Sequence, residues 1–325
     1  MADSSLDQLS EQIVLALLAR IEPGSILLNI ELLPGSFSNH THLVEVRLPN
    51  GNPYKLVVRR YKVFGDYDRG EKARREFKTF KLLNKHEIPA PEPMLLDESG
   101  ELLGSPGIVT QFVEGNLMME VPPSPLDWTR KLASTLARIH SISCGKREQE
   151  FLLNGNDQAG WFLKYETPPR YVRNYPGGTE LWHLMRDFSS HLNADTPSLL
   201  HIDYWSGNIL WHENEISAVL DWEEAAYGDP AVDVAYARMN LVLMGAPDEG
   251  EEFLRVYESE IGHKIKNLGL WELAASVRPM VDPVDWNITD TAGSNKNVFL
   301  KFIEDAKKRA GASTKNYPSP FEDEG

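Results

Sequence analysis

The sequence predicts an α+β protein of two lobes, with a β-rich amino-terminal lobe and a mainly helical carboxy-terminal lobe. The chain has 325 residues, of which 42% are hydrophobic and 25% charged, so it is long enough for about two domains with apolar cores. Strand-like alternation and turn signals fall in the first part of the chain, and helical spacing dominates the rest. We therefore expect an amino-terminal lobe over 1–115, a helical lobe over 116–310 and a flexible tail over 311–325.

The amino-terminal lobe is expected to contain an antiparallel sheet with two helices. One helix precedes the first strand, and a charged helix with one apolar face is inserted between the third and fourth strands. A Pro-Asn-Gly-Asn segment at 49–52 predicts the hairpin turn between the second and third strands. The expected helices cover 8–20 and 69–85, and the expected strands cover 26–33, 42–48, 55–61, 95–103 and 107–113.

A proline-containing linker at 119–127 leads into the helical lobe. Apolar residues three and four positions apart predict most of its elements as helices. One short β-like stretch at 209–221 interrupts them. The expected helices cover 128–141, 181–192, 232–243, 251–261, 270–277 and 297–309.

The charge of the chain argues against a nucleic-acid-binding role. The net charge is −15, whereas affinity for a phosphate backbone comes mainly from Lys and Arg. Most of the excess acid follows residue 115, where it would favour a cationic ligand. Simple solubility is the alternative explanation for this acid.

The sequence favours a cytoplasmic protein without a membrane segment. It contains one cysteine, Cys144, which rules out an internal disulfide framework and suits a reducing compartment. The amino terminus is acidic and polar, unlike a targeting peptide, and the early apolar run at 13–19 is too short to cross a bilayer.

The most informative segment lies between His201 and Asp233. Asp203 and Asn208 are five residues apart on one expected loop, and Asp221 ends an apolar strand. Phosphoryl transfer needs a carboxylate that orients the attacking hydroxyl and accepts its proton, together with oxygen ligands for Mg²⁺. This loop and this strand end supply all three oxygen-bearing side chains.

The motif His-x-Asp-x-x-x-x-Asn, which begins at His201, resembles the catalytic loop of kinase-like folds, and Asp221 resembles their metal-binding residue. Trp222-Glu223 follows Asp221 where protein kinases have Phe-Gly. The Gly-Asp-Pro-x-x-Asp-hydrophobic-Ala pattern at 228–235 is similar to the aminoglycoside phosphotransferase and choline kinase branch. Ile202 departs from the usual pattern, since a glycine is common at its position.

This resemblance implies a protein-kinase-like fold and transfer of the γ-phosphate of ATP or GTP to a hydroxyl of a small molecule, which could be aminoglycoside-like, an amino alcohol or a sugar. It assigns Asp203 as catalytic base and Asn208 and Asp221 as Mg²⁺ ligands. Asp229 and Asp233 are expected to brace the loop by hydrogen bonds, with Asp233 near a helix start. His201 is expected to have a supporting role.

The resemblance also implies a phosphate-binding cation on the third strand. Arg59 stands where Lys is commoner, and Glu76 on the next helix is placed to hold it. The alternative is a surface strand with two solvated arginines. Arg60 lies on the opposite strand face and is the weaker candidate.

Two further segments are expected to contact the nucleotide. Ser36 and Ser38, on the turn after the first strand, offer hydroxyls to phosphate oxygens, although a plain β-turn explains them too. Gln111 and Val113 lie at the expected hinge, where backbone groups would pair with the purine edge. ATP and GTP stay equally open because backbone recognition leaves no side-chain signature.

The acceptor site is expected among acids of the helical lobe, which suits a cationic small molecule. The candidates are Glu223, Glu224, Asp282, Asp285 and Asp290, with Trp271 and Trp286 as an aromatic wall. Solvated acids and core tryptophans are the alternative.

Two other functions are alternatives to a kinase. A nucleotide-binding pseudokinase would lack transfer activity, but Asp203, Asn208 and Asp221 are all present. A metallohydrolase using His201, Asp203 and His212 would lack further ligands at metal-like spacing. The oligomeric state has no signature in the sequence.

Overall fold

A computed structural model of the chain describes residues 8–33, 39–63, 68–188 and 196–314. The chain divides into two compact units. The first contains residues 1–116 together with 210–224, and the second contains 117–209 together with 225–325. The sequence predicts 210–224 as part of the helical lobe. This segment instead belongs to the first unit, where the Val219 amide donates to the Pro89 carbonyl at 2.9 Å.

The first unit is built on a five-stranded antiparallel sheet, as the alternation of apolar residues predicted. The strands are β1 (Ile26–Leu32), β2 (Asn39–Arg47), β3 (Pro53–Tyr61), β4 (Pro93–Asp97) and β5 (Gly107–Gln111). Their order in the sheet is β1-β2-β3-β5-β4. The helices are α1 (Glu11–Ile21) and α2 (Arg69–Lys85).

Helix α1 packs against the sheet through its apolar face. The Ser10 hydroxyl caps its start by accepting from the Ile13 amide at 3.3 Å. Val14 and Leu17 of α1 are buried in one cluster with Val44, Leu56 and Val58 of β2 and β3. This packing of α1 fixes β2 and β3 in the sheet, and β3 carries Arg59.

Strand β4 ends at Asp97, six residues before the expected end at 103. The Asp97 carboxylate accepts from the amides of Gly100, Leu102 and Leu103 at 3.0, 2.9 and 2.7 Å. A side chain that bonds its own following backbone competes with a ladder, so the chain turns here. Gly100 takes a φ of 76°, which a residue with a side chain rarely adopts.

The segment 210–224 adds a hairpin to the first unit. It contains most of β9 (Ile209–His212) and all of β10 (Glu215–Val219). Glu213 and Asn214 connect them with φ of 49° and 65°. Two consecutive left-handed residues are the signature of the tight turn that matches strand twist. Asp221 and Trp222 follow one residue after the end of β10.

The second unit is mainly helical. Its long helices are α3 (Pro125–His140), α7 (Gly178–Phe188), α8 (Ala231–Leu243), α9 (Pro247–Ile261), α10 (Leu268–Ala275) and α12 (Lys296–Thr314). Its short helices are α4 (Lys146–Gln149), α5 (Gly155–Ala159), α6 (Arg170–Arg173) and α11 (Val277–Val281), and its short strands are β7 (Leu153–Asn154), β8 (Ser198–Leu200) and β11 (Ala226–Gly228). Strand β6 (Asn116–Leu117) lies where the chain passes from one unit to the other.

Helix α8 is the central element of the second unit. Every residue from Ala231 to Val242 is buried, which explains why its sequence is apolar around most of its circumference. Helices α9 and α10 pack against it. Strand β11 pairs with β7 in parallel and with β8 antiparallel, so the chain entering α8 is tied to the chain entering the loop after β8.

Among the described residues, no helix is both long enough and apolar enough to cross a membrane.

Candidate active site

The loop after β8 carries the predicted base, and buried α8 holds this loop in place. Asp233, in the first turn of α8, accepts from the His201 amide at 2.7 Å and from the Ile202 amide at 2.8 Å. Its Oδ2 also lies 3.2 Å from Nε2 of His140 on α3. The Asp233 side chain is fully buried, so a carboxylate there is stable only with such partners. It braces the loop as expected, by bonding the loop itself.

Ile202 explains why the loop needs this brace. Its φ is 73°, in the left-handed region that a β-branched residue avoids. Such a conformation costs roughly 1–3 kcal/mol and persists only where neighbours over-determine it. The Asp233 carboxylate accepts from the Ile202 amide, and Nη2 of Arg278 donates to the Ile202 carbonyl at 3.0 Å. The structure thereby accommodates an isoleucine where the resembled family commonly has glycine.

Asp203 follows Ile202 and has a partner on each carboxylate oxygen. Nδ2 of Asn208 donates to Oδ2 at 2.8 Å and to the Asp203 carbonyl at 2.9 Å. Nη1 of Arg278 donates to Oδ1 at 3.1 Å. About a third of the Asp203 side chain stays exposed, at 32%. The carboxylate is therefore fixed in orientation and still reachable from solvent, which is what a base for a small acceptor needs.

Asn208 has the chemistry of a metal ligand. Its amide hydrogens point to Asp203, so its carbonyl oxygen is the atom suited to Mg²⁺. His201 has a different role. It is fully buried, its Nδ1 accepts from the Asp203 amide at 3.3 Å, and its ring packs edge-on against Tyr204. These contacts match the supporting role expected of it.

Asp229 braces the chain that enters α8. Its Oδ1 accepts from the Ala231 amide at 3.0 Å. Its Oδ2 accepts from Asn267 at 3.0 Å and from the indole of Trp271 at 2.9 Å. Trp271 is buried and its indole N–H is bonded to Asp229, so it belongs to the core of the second unit, and its expected part in an aromatic acceptor wall stays a prediction.

The first unit carries the predicted phosphate-binding cation in a cluster of charges. Nη1 of Arg59 donates to Oε1 of Glu76 at 3.1 Å, so the expected ion pair between β3 and α2 is present. The same guanidinium forms an ion pair with Asp221 and lies 3.4 Å from Glu223. Arg60 points elsewhere and lies buried against the Leu103 carbonyl at 3.4 Å.

Glu76 is the buried centre of this cluster. Besides Arg59, it accepts from the Tyr61 hydroxyl and from the Trp222 amide, the latter at 3.1 Å. Burial raises the pKa of Glu76 to about 7, although the Arg59 guanidinium opposes this rise. Because Glu76 bonds the backbone beside Asp221, it fixes both the Arg59 side chain and the strand end that carries Asp221.

The structure contradicts the predicted role of Glu223 as an acceptor-binding acid. Its carboxylate is nearly buried and accepts from Lys72 at 3.1 Å and from Asn39 at 2.8 Å. Its carbonyl accepts from Arg75 at 2.6 Å. These bonds tie Glu223 to α2 and β2, which makes it part of the cation cluster and removes it from the candidate acceptor acids.

The remaining nucleotide contacts lie partly outside the described residues. Ser36 and Ser38 fall in 34–38, which the structure does not describe, so their expected contact with phosphate stays a prediction. Gln111 and Val113 line an open pocket of about 510 Å³ with Asn84, Ala90 and Glu92. The Gln111 amide already donates to the Glu92 carbonyl at 2.9 Å, so its carbonyl is the group suited to a purine edge.

Sequence reasoning missed Lys72 and Arg278. Lys72 stands four residues before Glu76 on α2, and this spacing, which places both on one helix face, was an available signal. Arg278 is 75 residues from Asp203 and lies on the short helix α11, where no motif marks it. Only the fold brings Arg278 to the predicted base.

Comparison with known proteins decides the family. The profile of the phosphotransferase enzyme family matches residues 29–266, which is most of the chain. The chain belongs to the phosphotransferase enzyme family. This match confirms that the chain is an enzyme, as predicted. It also confirms the predicted resemblance to the aminoglycoside phosphotransferase and choline kinase branch.

Solved structures of phosphotransferases share the fold. Macrolide 2′-phosphotransferase MphH from Brachybacterium faecium superposes with a TM-score of 0.58 at 18% identity, covering 89% of this chain and 97% of that one. Choline kinase LicA from Streptococcus pneumoniae gives 0.55 at 18% identity, covering 93% and 99%. A streptomycin–ATP complex of APH(2″)-IIa gives 0.54 at 16% identity, covering 84% and 91%. The expected protein-kinase-like α+β fold is thereby confirmed.

Curated relatives are longer proteins. Acyl-CoA dehydrogenase family member 11 of Gallus gallus is 27% identical over 191 residues, which cover 51% of this chain and 22% of that protein. The matching region of this phosphotransferase thus corresponds to about a fifth of that relative.

Proposed function

We propose that the protein is a Mg²⁺-dependent kinase that transfers the γ-phosphate of ATP to a hydroxyl of a small molecule. The observation that carries this proposal is the setting of Asp203, a solvent-reachable carboxylate oriented by Asn208 and Arg278 on a loop braced from α8. Family membership supports the reaction class. The ATP in the complex of APH(2″)-IIa favours ATP over GTP as donor.

In this proposal, Asp203 is the general base. The acceptor hydroxyl donates to the Asp203 carboxylate, its oxygen attacks the γ-phosphorus, and the bond from phosphorus to the oxygen of ADP breaks. The hydroxyl proton passes to Asp203. Catalysis then rests on positioning and charge, as is general for phosphoryl transfer.

The residues of the first unit would bind the phosphates. Arg59 would exchange its ion pair with Asp221 for phosphate oxygens, while Glu76 keeps the guanidinium in place. Asp221 and Asn208 are the oxygen ligands proposed for Mg²⁺, which would neutralise charge on the phosphates when bound. Lys72 adds a second positive charge beside Glu223.

The proposal is tested by phosphate transfer. Purified protein is incubated with Mg·ATP or Mg·GTP and a panel of hydroxylated acceptors of negative, zero and positive charge, and products are identified by mass spectrometry. We expect acceptor-dependent transfer that is lost with EDTA and falls at least about 100-fold in Asp203→Asn. Asp248→Asn, an exposed change on α9, is the matched control and should retain full activity.

A nucleotide-binding scaffold without transfer is the second candidate. The ion pairs of Arg59 with Asp221 and of Arg278 with Asp203 give it a specific basis, since a proposed metal ligand and the proposed base are both held by arginines. Binding of Mg·ATP without transfer to any acceptor would favour it. Transfer that persists unchanged in Asp203→Asn would refute the base assignment.

A further inference from the structure

The proposed base is in direct contact with a fixed positive charge. Arg278 donates from Nη1 to Oδ1 of Asp203 at 3.1 Å and from Nη2 to the Ile202 carbonyl at 3.0 Å. Its guanidinium also stacks on the ring of Tyr236, 4.3 Å from the ring centre. These three contacts come from the loop after β8 and from α8, so Arg278 has a defined position in the site.

The pair of Asp203 and Arg278 is reachable from solvent. The side chains are 32% and 23% exposed, although the Tyr236 ring beneath them is buried. An acceptor hydroxyl that donates to Asp203 must therefore approach within a few ångströms of the guanidinium. Whatever group lies next to that hydroxyl in the acceptor meets a positive charge.

We propose that Arg278 selects an anionic acceptor, a hydroxylated molecule whose carboxylate or phosphate lies near the hydroxyl that is phosphorylated. This inference rests on the proposed kinase function and specifies its substrate class. The Arg278 guanidinium carries a permanent positive charge, so it attracts a nearby carboxylate or phosphate and repels an ammonium group. Adding typical hydrogen-bond lengths at each end places the anion roughly 4–8 Å from the hydroxyl oxygen.

Several of the acids expected to attract a cationic acceptor are bonded to other groups, which supports an anionic acceptor. Glu223 pairs with Lys72 and Arg59 in the first unit. Asp290 pairs with Lys296, and Asp282 accepts from the Asp285 amide at 3.3 Å. An arginine, and no acid from this set, contacts the base. This contact argues against the cationic acceptor that the acidic helical half suggested.

The test uses three matched acceptor series on the full chain with Mg·ATP. They are ω-hydroxycarboxylates, the corresponding diols and the corresponding amino alcohols, each with chains of two to six carbons. We expect kcat/KM for the best carboxylate to exceed that of its diol by at least about tenfold, equivalent to about 1.4 kcal/mol. The amino alcohol should be the poorest acceptor at each length.

Variants separate selection from positioning. In Arg278→Gln the preference for carboxylate over diol should disappear, mainly through KM, while Arg278→Lys should keep part of it because its charge remains. Arg186→Gln is the matched control, because Arg186 also stacks on an aromatic ring, that of Trp182, and donates to a carbonyl. A purely positioning Arg278 would lower all three series by one factor and leave the preference unchanged, which would overturn the proposal.

Binding provides a readout that does not need transfer. The same series are titrated by calorimetry into protein saturated with Mg·ADP, and Mg·ADP binding is measured first. Carboxylates should bind the wild type and not Arg278→Gln. Amino alcohols that bind as well as the carboxylates, or carboxylates that fail to bind, overturn the anionic acceptor. Failure of Mg·ADP itself to bind counts against the proposed kinase function, so the two failures are distinguishable.

Discussion

Replacing Asp233 by alanine is expected to destabilise the second unit and to disorder the loop that carries Asp203. The change removes a fully buried carboxylate that accepts from the amides of His201 and Ile202 at 2.7 and 2.8 Å. Hydrogen bonds to a charged group contribute about 1.5–3 kcal/mol each, so the two amides together account for about 3–6 kcal/mol. This is a large share of the roughly 5–15 kcal/mol by which domains are stable.

The loss should also be visible locally. Ile202 keeps a φ of 73° against its own preference, and the Asp233 bond is one of the two contacts that hold its peptide groups. We expect the backbone at 202 to relax in Asp233→Ala and the Asp203 carboxylate to lose its orientation. Transfer activity should then fall by a larger factor than the fraction of unfolded protein explains.

Urea unfolding followed by tryptophan fluorescence measures the first effect, and amide hydrogen exchange at His201 and Ile202 measures the second. Asp233→Asn should show an intermediate loss, because the two N–H groups bond different oxygens of Asp233 and asparagine replaces one of these acceptors with an NH₂ donor. Asp248→Ala is the control, expected within about 0.5 kcal/mol of wild type. A loss below about 1 kcal/mol in Asp233→Ala, with both amides still protected, would refute this reasoning.

Three further predictions concern packing and burial. Glu76→Ala should cost about 2–5 kcal/mol in urea unfolding, because it leaves the buried Tyr61 hydroxyl and Trp222 amide without their acceptor. Exposed Glu71→Ala on the same helix should cost almost nothing, and equal losses would contradict the reasoning. Burial raises the pKa of the Cys144 thiol to about 11. At pH 8 the native protein should therefore react with a thiol reagent about 100-fold more slowly than the unfolded protein. Comparable rates would show that the thiol is accessible in the native protein. A methyl group on Gly269 of α10 would lie 2.7 Å from the Ala306 carbonyl of α12, so Gly269→Ala should lower the free energy of unfolding by about 1–3 kcal/mol. Gly311 of α12 has open space around it, so the control Gly311→Ala should raise the free energy of unfolding slightly. A neutral Gly269→Ala would refute the close packing of α10 on α12.

The sequence contained enough information to predict most elements and the motif of the second unit. Helix α2 matches its expected bounds of 69–85, because a charged segment with one apolar face predicts a helix and the prolines after it predict where the helix ends. The spacing of Asp203 and Asn208 predicted a shared loop, and their side chains are in fact hydrogen-bonded. The bounds of α2 and the shared loop of Asp203 and Asn208 depend on residues close together in the chain, so sequence patterns predict them directly.

Long-range charge pairing was less accessible. The ion pair between Arg59 and Glu76 could be expected because β3 and α2 are consecutive elements and the resembled family has such a pair. The ion pair between Glu223 and Lys72 could not be predicted, because the two residues are 151 positions apart. An acid that follows a strand can equally well be exposed to solvent. Glu223 was therefore assigned to the acceptor when it belongs to the cation cluster.

By itself, then, the sequence determined the fold class and the family, and it supplied the three oxygen-bearing side chains proposed as base and metal ligands, because each of these rests on local periodicity or on short motifs. Only the tertiary structure decided the surroundings of those residues. It placed Asp233 of α8 on the amides of the loop, allowed isoleucine at a left-handed position, and brought Arg278 of α11 into contact with Asp203. Such contacts arise from how helices pack, and a pairing across 75 residues leaves no periodic trace in the chain.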